Sequence, residues 1–513
     1  MAYQAEQRLR RARNSLGAGP AAGAPAAAAW FDASGRPNAS ARDALRLLAE
    51  AAADGLAPRR YRAAELAQQA AAVEAAPSAE VLAQPAFERD LSCAMRRYLR
   101  DLHLGRIDPR TLGFRVARPG AAEPDFAELQ QTAAAAVRLP QMAADLRPQL
   151  GQYTMLREAL RVTASWRLTT RWRRRSAAKP MAARQCCTVC WSRSATCRPI
   201  RRRLPCTTLN PTTPRSPTVL GASRPATAAA DGVIGRATLA ALNEPLAHRV
   251  QPLELALERL RWLPPLGTRQ FIGINIPMYR LWARDPAAPD SRPISMRVVV
   301  GRALNTQTPV LIEEMRYLVF RPYWNLPRSI VRNEVLPAVA RDPGYLQRNE
   351  MEIVRGGGDD APVVAASSES LAALREGGLR LRQRPGTKNS LGLVKFIFPN
   401  DANVNLHDTP VTLLFGRARR DLSHGCVRVE DPAALAQWVL KDHPGLTREF
   451  IQDAMAGTSP LRVDLTRPLP VILFYMTAMV MPADQALYFA DDIYGHDTKL
   501  ARALASRPVV TAF

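Results

Sequence analysis

Two short runs near the C-terminal end, Leu406-His407-Asp408-Thr409-Pro410 and Ser423-His424-Gly425-Cys426-Val427-Arg428, bring a thiol together with two imidazoles and a guanidinium. A thiol becomes a strong nucleophile when an imidazole or a nearby positive charge stabilises its thiolate, and Cys426 has both types close in sequence. Gly425 frees the backbone beside the sulfur, so the amides of Gly425 and Cys426 can turn toward a developing oxyanion. Arg428 lies two residues past the sulfur, on the same side of an extended chain, and offers a planar fork to a carboxylate. The competing reading of any single cysteine is a small buried hydrophobe. The company Cys426 keeps favours chemistry.

The elements that must position these residues are mainly strands. Phe271–Ile276, Met296–Val300, Tyr317–Phe320, Val394–Phe398 and Val411–Phe415 are short β-rich runs bounded by Gly, Pro or Asn. Leu469–Met481 is too short to span a bilayer and reads as a terminal strand. A set of short strands with few long helices predicts a compact sandwich or barrel-like domain over residues 250–513. The stretch 327–383 interrupts it with a helical pattern around Ile330–Ala340 and glycines at 356–358. The N-terminal part is predicted helical. Asn38 and Ser40 precede leucines at helical spacing, and the pattern recurs over Phe87–Leu102 and Phe126–Leu139, with turn signals at Gly55–Pro58 and Leu104–Pro109. The fold class is therefore α+β, a helical domain over 30–167 followed by a mainly β one.

The chain has 513 residues and a formal charge of +24, which at first sight suggests a nucleic-acid binder. The distribution of charge argues against it. Between Glu158 and Asp231 there is no acidic residue, while fifteen arginines and lysines fall there; the other 441 residues carry only +9. The same segment holds five of the seven cysteines, Cys186, Cys187, Cys190, Cys197 and Cys206. Their spacing does not complete a zinc ribbon, which needs two paired doublets, and neither metal nor cofactor is expected. With no hydrophobic periodicity between Ala/Leu-rich neighbours, residues 168–230 read as a frameshifted, disordered stretch. The alternative is a basic linker holding nucleic acid or anionic lipid by charge alone.

The stretch from His407 to Arg428, with its HDTP and SHGCVRV runs, resembles the signature of L,D-transpeptidases with a YkuD-type catalytic domain, of the large multidomain kind. Phe320-Arg321-Pro322-Tyr323-Trp324-Asn325-Leu326-Pro327, Arg382–Gly386 and Lys395–Asn400 carry the same resemblance. It implies that Cys426 is the nucleophile and His407 the base, that His424 and Gly425 belong to the catalytic loop, and that Arg428, Ser423, Tyr323 and Trp324 meet substrate. It also implies a lid over residues 327–383 and a helical scaffold domain. Asp231–Asn243 is similar to the end of a peptidoglycan-binding domain (231–246), of which 168–230 would be the frameshifted remainder. The expected reaction joins third-position diamino acids of two peptidoglycan stems through a cysteine thioester, and carbapenems acylate the family. Peptidoglycan stems are the expected partners, with a lipoprotein as a second class of acceptor. Two readings compete: an L,D-carboxypeptidase or a hydrolase of murein-linked protein using the same Cys/His pair, and a non-catalytic murein or nucleic-acid binder. The resemblance implies a periplasmic site of action. Residues 1–29 show no apolar export core, so a start codon further upstream is expected.

Overall fold

The computed structural model describes residues 30–75, 84–116, 124–166 and 244–506, apart from 265, 268, 289–292, 305 and 482–483. The N-terminal residues 1–29, the cysteine-bearing stretch 168–230 and the expected domain ending at 231–243 lie outside the described residues.

Five helices build the first core. The N-terminal one, α1 (Ala39–Ala49), begins where the Asn38 side chain accepts a hydrogen bond from the Ala41 N–H, the capping geometry its sequence called for. It packs with α2 (Ala63–Ala75), α3 (Gln84–Leu104), α4 (Phe126–Ala135) and α5 (Leu139–Leu146) around Trp30, Leu48, Phe87, Leu99 and Met142. The single helical pattern expected over Phe126–Leu139 is split. Val137 takes a positive φ of 52° and Pro140 starts the next helix, so the chain breaks between α4 and α5.

Helix α6 (Gly151–Trp166) lies along α7 (Leu246–Trp262), and the pair shares a core with residues 476–487. A buried polar network fastens this pair to the first core. Arg147 makes two hydrogen bonds of 3.0 Å with the Asp54 carboxylate, and Arg261 donates to the Asp54 carbonyl and, at 3.0 Å, to the Tyr153 hydroxyl. Glu258 accepts from the N–H groups of Arg106 at 2.5 Å and Ile107 at 2.9 Å. Each buried charge is thus met by several donors or acceptors, the condition under which burying it is tolerated.

The second half is a sheet closed on itself. Strands β1 (Phe271–Asn275), β2 (Arg280–Arg284), β3 (Ile294–Gly301) and β4 (Leu311–Phe320) precede an insertion, which contains β5 to β8. Then come β9 (Val394–Ile397), β10 (Leu406–His407), β11 (Asp421–Ser423), β12 (Val427–Val429) and β13 (Leu461–Phe474). Their order is β11-β3-β12-β10-β9-β4-β13-β1-β2, and β2 pairs back onto β3. Closure leaves a barrel-like wall around Ile274, Val298, Leu318, Phe396, Val427 and Val471. Val411–Phe415, expected as a strand, is a 3-10 helix over Thr412–Gly416. Leu413 is 87% exposed while Phe415 is buried, so the run has no second face to pack. The expected terminal strand over Leu469–Met481 is two elements, the end of β13 and the short β14 (Ala478–Val480), which pairs with β15 (Leu487–Phe489).

The insertion forms a small unit with its own sheet, β5 (Trp324–Asn325), β8 (Arg380–Gln383), β6 (Met351–Val354) and β7 (Val363–Val364) in that order. Its core gathers Leu326, Val331, Leu336, Ile353 and Leu381. The expected helix over Ile330–Ala340 is present as a run from 328 to 341 whose middle turn, Val331–Val335, is a π-helix. The unit leaves the barrel after β4 and returns at β9, strands that are hydrogen-bonded neighbours.

Candidate active site

The alternation of a strand sorts the site. Leu406 of β10 pairs with Phe396 of β9 and Val427 of β12, and all three are fully buried in the barrel core. The neighbouring positions must point to the opposite face. His407 pairs there with Lys395 on one side and Arg428 on the other. Cys426, one residue before Val427, stands beside Asn405, whose carbonyl accepts the Val427 N–H at 3.0 Å. The thiol is therefore one strand over from His407 and two residues along, on the same face.

His407 is buried, and its Nδ1 lies 2.5 Å from the Asp408 carbonyl oxygen. A carbonyl only accepts, so Nδ1 carries the proton and Nε2 keeps its lone pair. Burial, then the charge of Arg428, and further Lys395, pull its pKa down to about 3. The Asp408 carboxylate is occupied elsewhere, accepting from the N–H groups of Leu393 at 2.8 Å and Thr409 at 2.6 Å. The His407 ring is thus oriented by the backbone carbonyl of Asp408 and not by its carboxylate.

Burial pushes the Cys426 thiol above its ordinary pKa, while the Asn405 N–H and the charges of Lys395 and Arg428 work in the opposite direction. The resting pair is a neutral thiol and a neutral imidazole. The loop before the sulfur is stapled from below. Gly425 has φ +116°, closed to side chains, and its carbonyl accepts from the buried Thr308 hydroxyl at 2.7 Å. The Thr308 oxygen in turn accepts the Gly301 N–H at 2.8 Å. Because the C=O and N–H of one peptide plane point oppositely, the Cys426 N–H faces away from Thr308. The expected pair of oxyanion donors is thereby reduced to one. The Gly425 N–H already donates to Ser423 Oγ at 3.2 Å.

The remaining expected residues are dispersed. Ser423 is buried, and its hydroxyl donates to the Cys426 carbonyl at 2.5 Å, so it holds the loop. His424 turns to the insertion, where its Nε2 lies 2.6 Å from Glu334 Oε1 in the π-helical turn. Arg428 reaches Thr409 Oγ1 at 3.4 Å, and its Nε is buried without a partner. The Tyr323 ring lies 4.2 Å from the Arg382 guanidinium carbon, and Trp324 pairs in β5 and packs on the insertion's core. Lys395 is not among the expected site residues, although it falls in the motif Lys395–Asn400. The alternation of Val394-Lys395-Phe396-Ile397-Phe398 already sets it opposite the core phenylalanines. Lys395 is half-buried, with no ion pair among the described residues, and burial pulls its pKa down.

No group of His, Cys, Asp and Glu suited to a metal ion occurs among the described residues. The Cys426 thiol just before β12 and the buried imidazole of β10 thus share one face of the closed sheet with Lys395 and Arg428, two cations that have no carboxylate partner among the described residues. Residues 269–460 match the YkuD family model, described as the L,D-transpeptidase catalytic domain, and residues 25–160 match the model of the Scaffold domain. The chain thus carries a YkuD-type L,D-transpeptidase catalytic domain behind a Scaffold domain. A Haemophilus influenzae protein that bears the provisional name of an L,D-transpeptidase is 32% identical over 251 residues, 49% of this chain. The chain spans about half the length of that relative, 49%. Among the described residues, no helix is long and apolar enough to cross a membrane.

Proposed function

We propose that the protein is an L,D-transpeptidase of the cell envelope that joins the third-position diamino acids of two peptidoglycan stems through a thioester on Cys426. The observation that carries this reading is the tautomer of His407, fixed by the Asp408 carbonyl, which leaves Nε2 as a base on the face shared with the sulfur. The reaction opens with the Cys426 thiol proton passing to Nε2 as sulfur attacks the carbonyl of the third stem residue. The oxyanion forms at the Cys426 N–H, and one such donor contributes on the order of 3 kcal/mol in the transition state. Collapse breaks the peptide bond, the imidazolium gives its proton to the leaving D-alanine amine, and the thioester remains. An amine of a second stem then attacks, loses its proton to His407, and the thiolate leaves and is reprotonated.

An anionic donor assists the first step. Burial is the main cause that holds His407 down, and carboxylates placed against Arg428 and Lys395 cancel the two charges that add to it, so the imidazole gains basicity as substrate arrives. Ser423 and Tyr323 act through the loop and the insertion's root, the hydroxyl of one and the ring of the other being already engaged, and Trp324 acts through its packing on the insertion's core. His424 ties that loop to the insertion, which works as a lid. The test is intact-protein mass spectrometry with a carbapenem, then product analysis with tetrapeptide donor and acceptor stems. One adduct located on Cys426, together with a cross-link between third residues, is expected. A Cys426→Ala protein that still cross-links would refute the reading, and a tripeptide product alone would convert it to a carboxypeptidase.

A further inference from the structure

On the lid, the run 328–341 and the helix Ser368–Glu376 border an open cleft of about 640 Å³. Three guanidinium groups line it, Arg328, Arg332 and Arg375, with Ser329 and Asn333 between them and Leu336 on its apolar side. No carboxylate is in the lining. Elsewhere in the lid two arginines are matched, Arg382 with Glu352 and Arg348 with Asp342, while Arg341, Arg355 and Arg380 have no ion pair among the described residues. In the cleft, Arg332 and Arg375 are exposed and have neither an ion pair nor a hydrogen bond among the described residues. Arg328 is held by a 2.8 Å bond to the Gly377 carbonyl, where Gly377 takes φ +87° and lets the guanidinium lie close against its Cα. Three like charges converging on one hollow repel one another, and the helix C-terminus at Gly377 engages only Arg328 by a hydrogen bond. The arrangement suits a ligand with several carboxylates, each able to take a planar fork.

The position of the cleft narrows the ligand further. Arg332 and Asn333 line it, and the next residue, Glu334, reaches His424 beside the nucleophile loop. The cleft and the nucleophile loop thus border the same helical run, which is roughly 10–12 Å across. An extended peptide covers about 3.4 Å per residue, so three or four residues span the width of that run. The donor has its own cations in Arg428 and Lys395. We infer that the lid cleft holds the carboxylates of the acceptor stem and presents its third-position amine to the thioester, an inference that rests on the transpeptidase reading.

The test separates the acceptor from the donor in a protein carrying both Arg332→Gln and Arg375→Gln. Carbapenem acylation of Cys426, which needs no acceptor, stays within two-fold of the parent. The KM for acceptor stem rises at least ten-fold, more of the thioester is lost to water, and amidating the acceptor's carboxylates reproduces both effects in the parent. An unchanged acceptor KM, an equal fall in carbapenem acylation, or indifference of the parent to amidation overturns the inference. Should the parent hydrolyse and never cross-link, the transpeptidase reading fails by itself. Calorimetry with a free-acid disaccharide–tripeptide and Cys426→Ala protein then judges the cleft, and equal affinity with and without the two glutamines overturns it. Loss of binding to phosphatidylglycerol vesicles with muropeptide affinity intact would also overturn it, assigning the cleft to a phosphate surface.

Discussion

The buried state of His407 makes acid stability a measure of the site's electrostatics. Unfolded, its imidazole titrates near the ordinary value of 6.5; folded, burial and then Arg428 and Lys395 hold it to about 3. Between those values the unfolded chain binds a proton that the folded chain refuses, so stability is complete above about pH 6.5 and falls as the pH drops toward 3. At about pH 4.5 the loss is two units at 1.36 kcal/mol each, about 3 kcal/mol. His496, pulled down to about 4 by burial and then by Arg259, adds a similar slope. A His407→Gln protein keeps His496 and every carboxylate, so the difference between the two proteins isolates His407. Urea unfolding followed by tryptophan fluorescence at about pH 7 and pH 4.5 measures it. The parent is expected to lose about 3 kcal/mol more than the variant on acidification. Equal losses would mean that the imidazole titrates normally, and the neutral-base account of the site would be wrong.

Thr308→Val strands the Gly301 N–H and the Gly425 carbonyl in a buried setting and is expected to cost about 2–4 kcal/mol and to slow carbapenem acylation; calorimetry and adduct kinetics check both. Gly425→Ala must place a side chain at φ +116°, with an expected loss of about 1–3 kcal/mol and of at least ten-fold in acylation rate, measured by thermal melts and mass spectrometry. Lys395→Met removes a charge that lowers both His407 and Cys426. The acid limb of the acylation pH profile and the alkaline limb of iodoacetamide labelling should both move to higher pH, and two unmoved limbs would count against the placement of Lys395.

Much of the barrel was legible because its strands alternate. In Val394–Phe398 the buried Val394, Phe396 and Phe398 announce a core face, and the proposed nucleophile and base, Cys426 and His407, stand out by residue type. What alternation cannot supply is register. That Asn405 stands beside Cys426, and His407 between Lys395 and Arg428, depends on pairing between segments that carry no local mark of one another. The run Val411–Phe415 looked like a strand by composition, yet a single buried ring, Phe415, was its only anchor. The His424–Glu334 contact joins residues ninety apart, and its π-helical setting leaves no periodic trace. The oxyanion donors were misjudged for a related reason, since backbone amides are shared out by loop geometry, and Ser423 had already claimed one.

Strand β13 lies between β4 and β1 in the closed sheet, and its residue Val471 pairs with Ile272. Nearly two hundred residues must therefore be synthesised after β1 before the neighbour that covers its edge exists. Long-range pairing of this kind is slow, and its unpaired edges invite association with other chains while they wait. During synthesis the helical N-terminal unit is complete and able to fold long before the barrel is. Cys426 leaves the ribosome ahead of β13, so for that interval the thiol belongs to an unfinished wall whose last long strand is still to come.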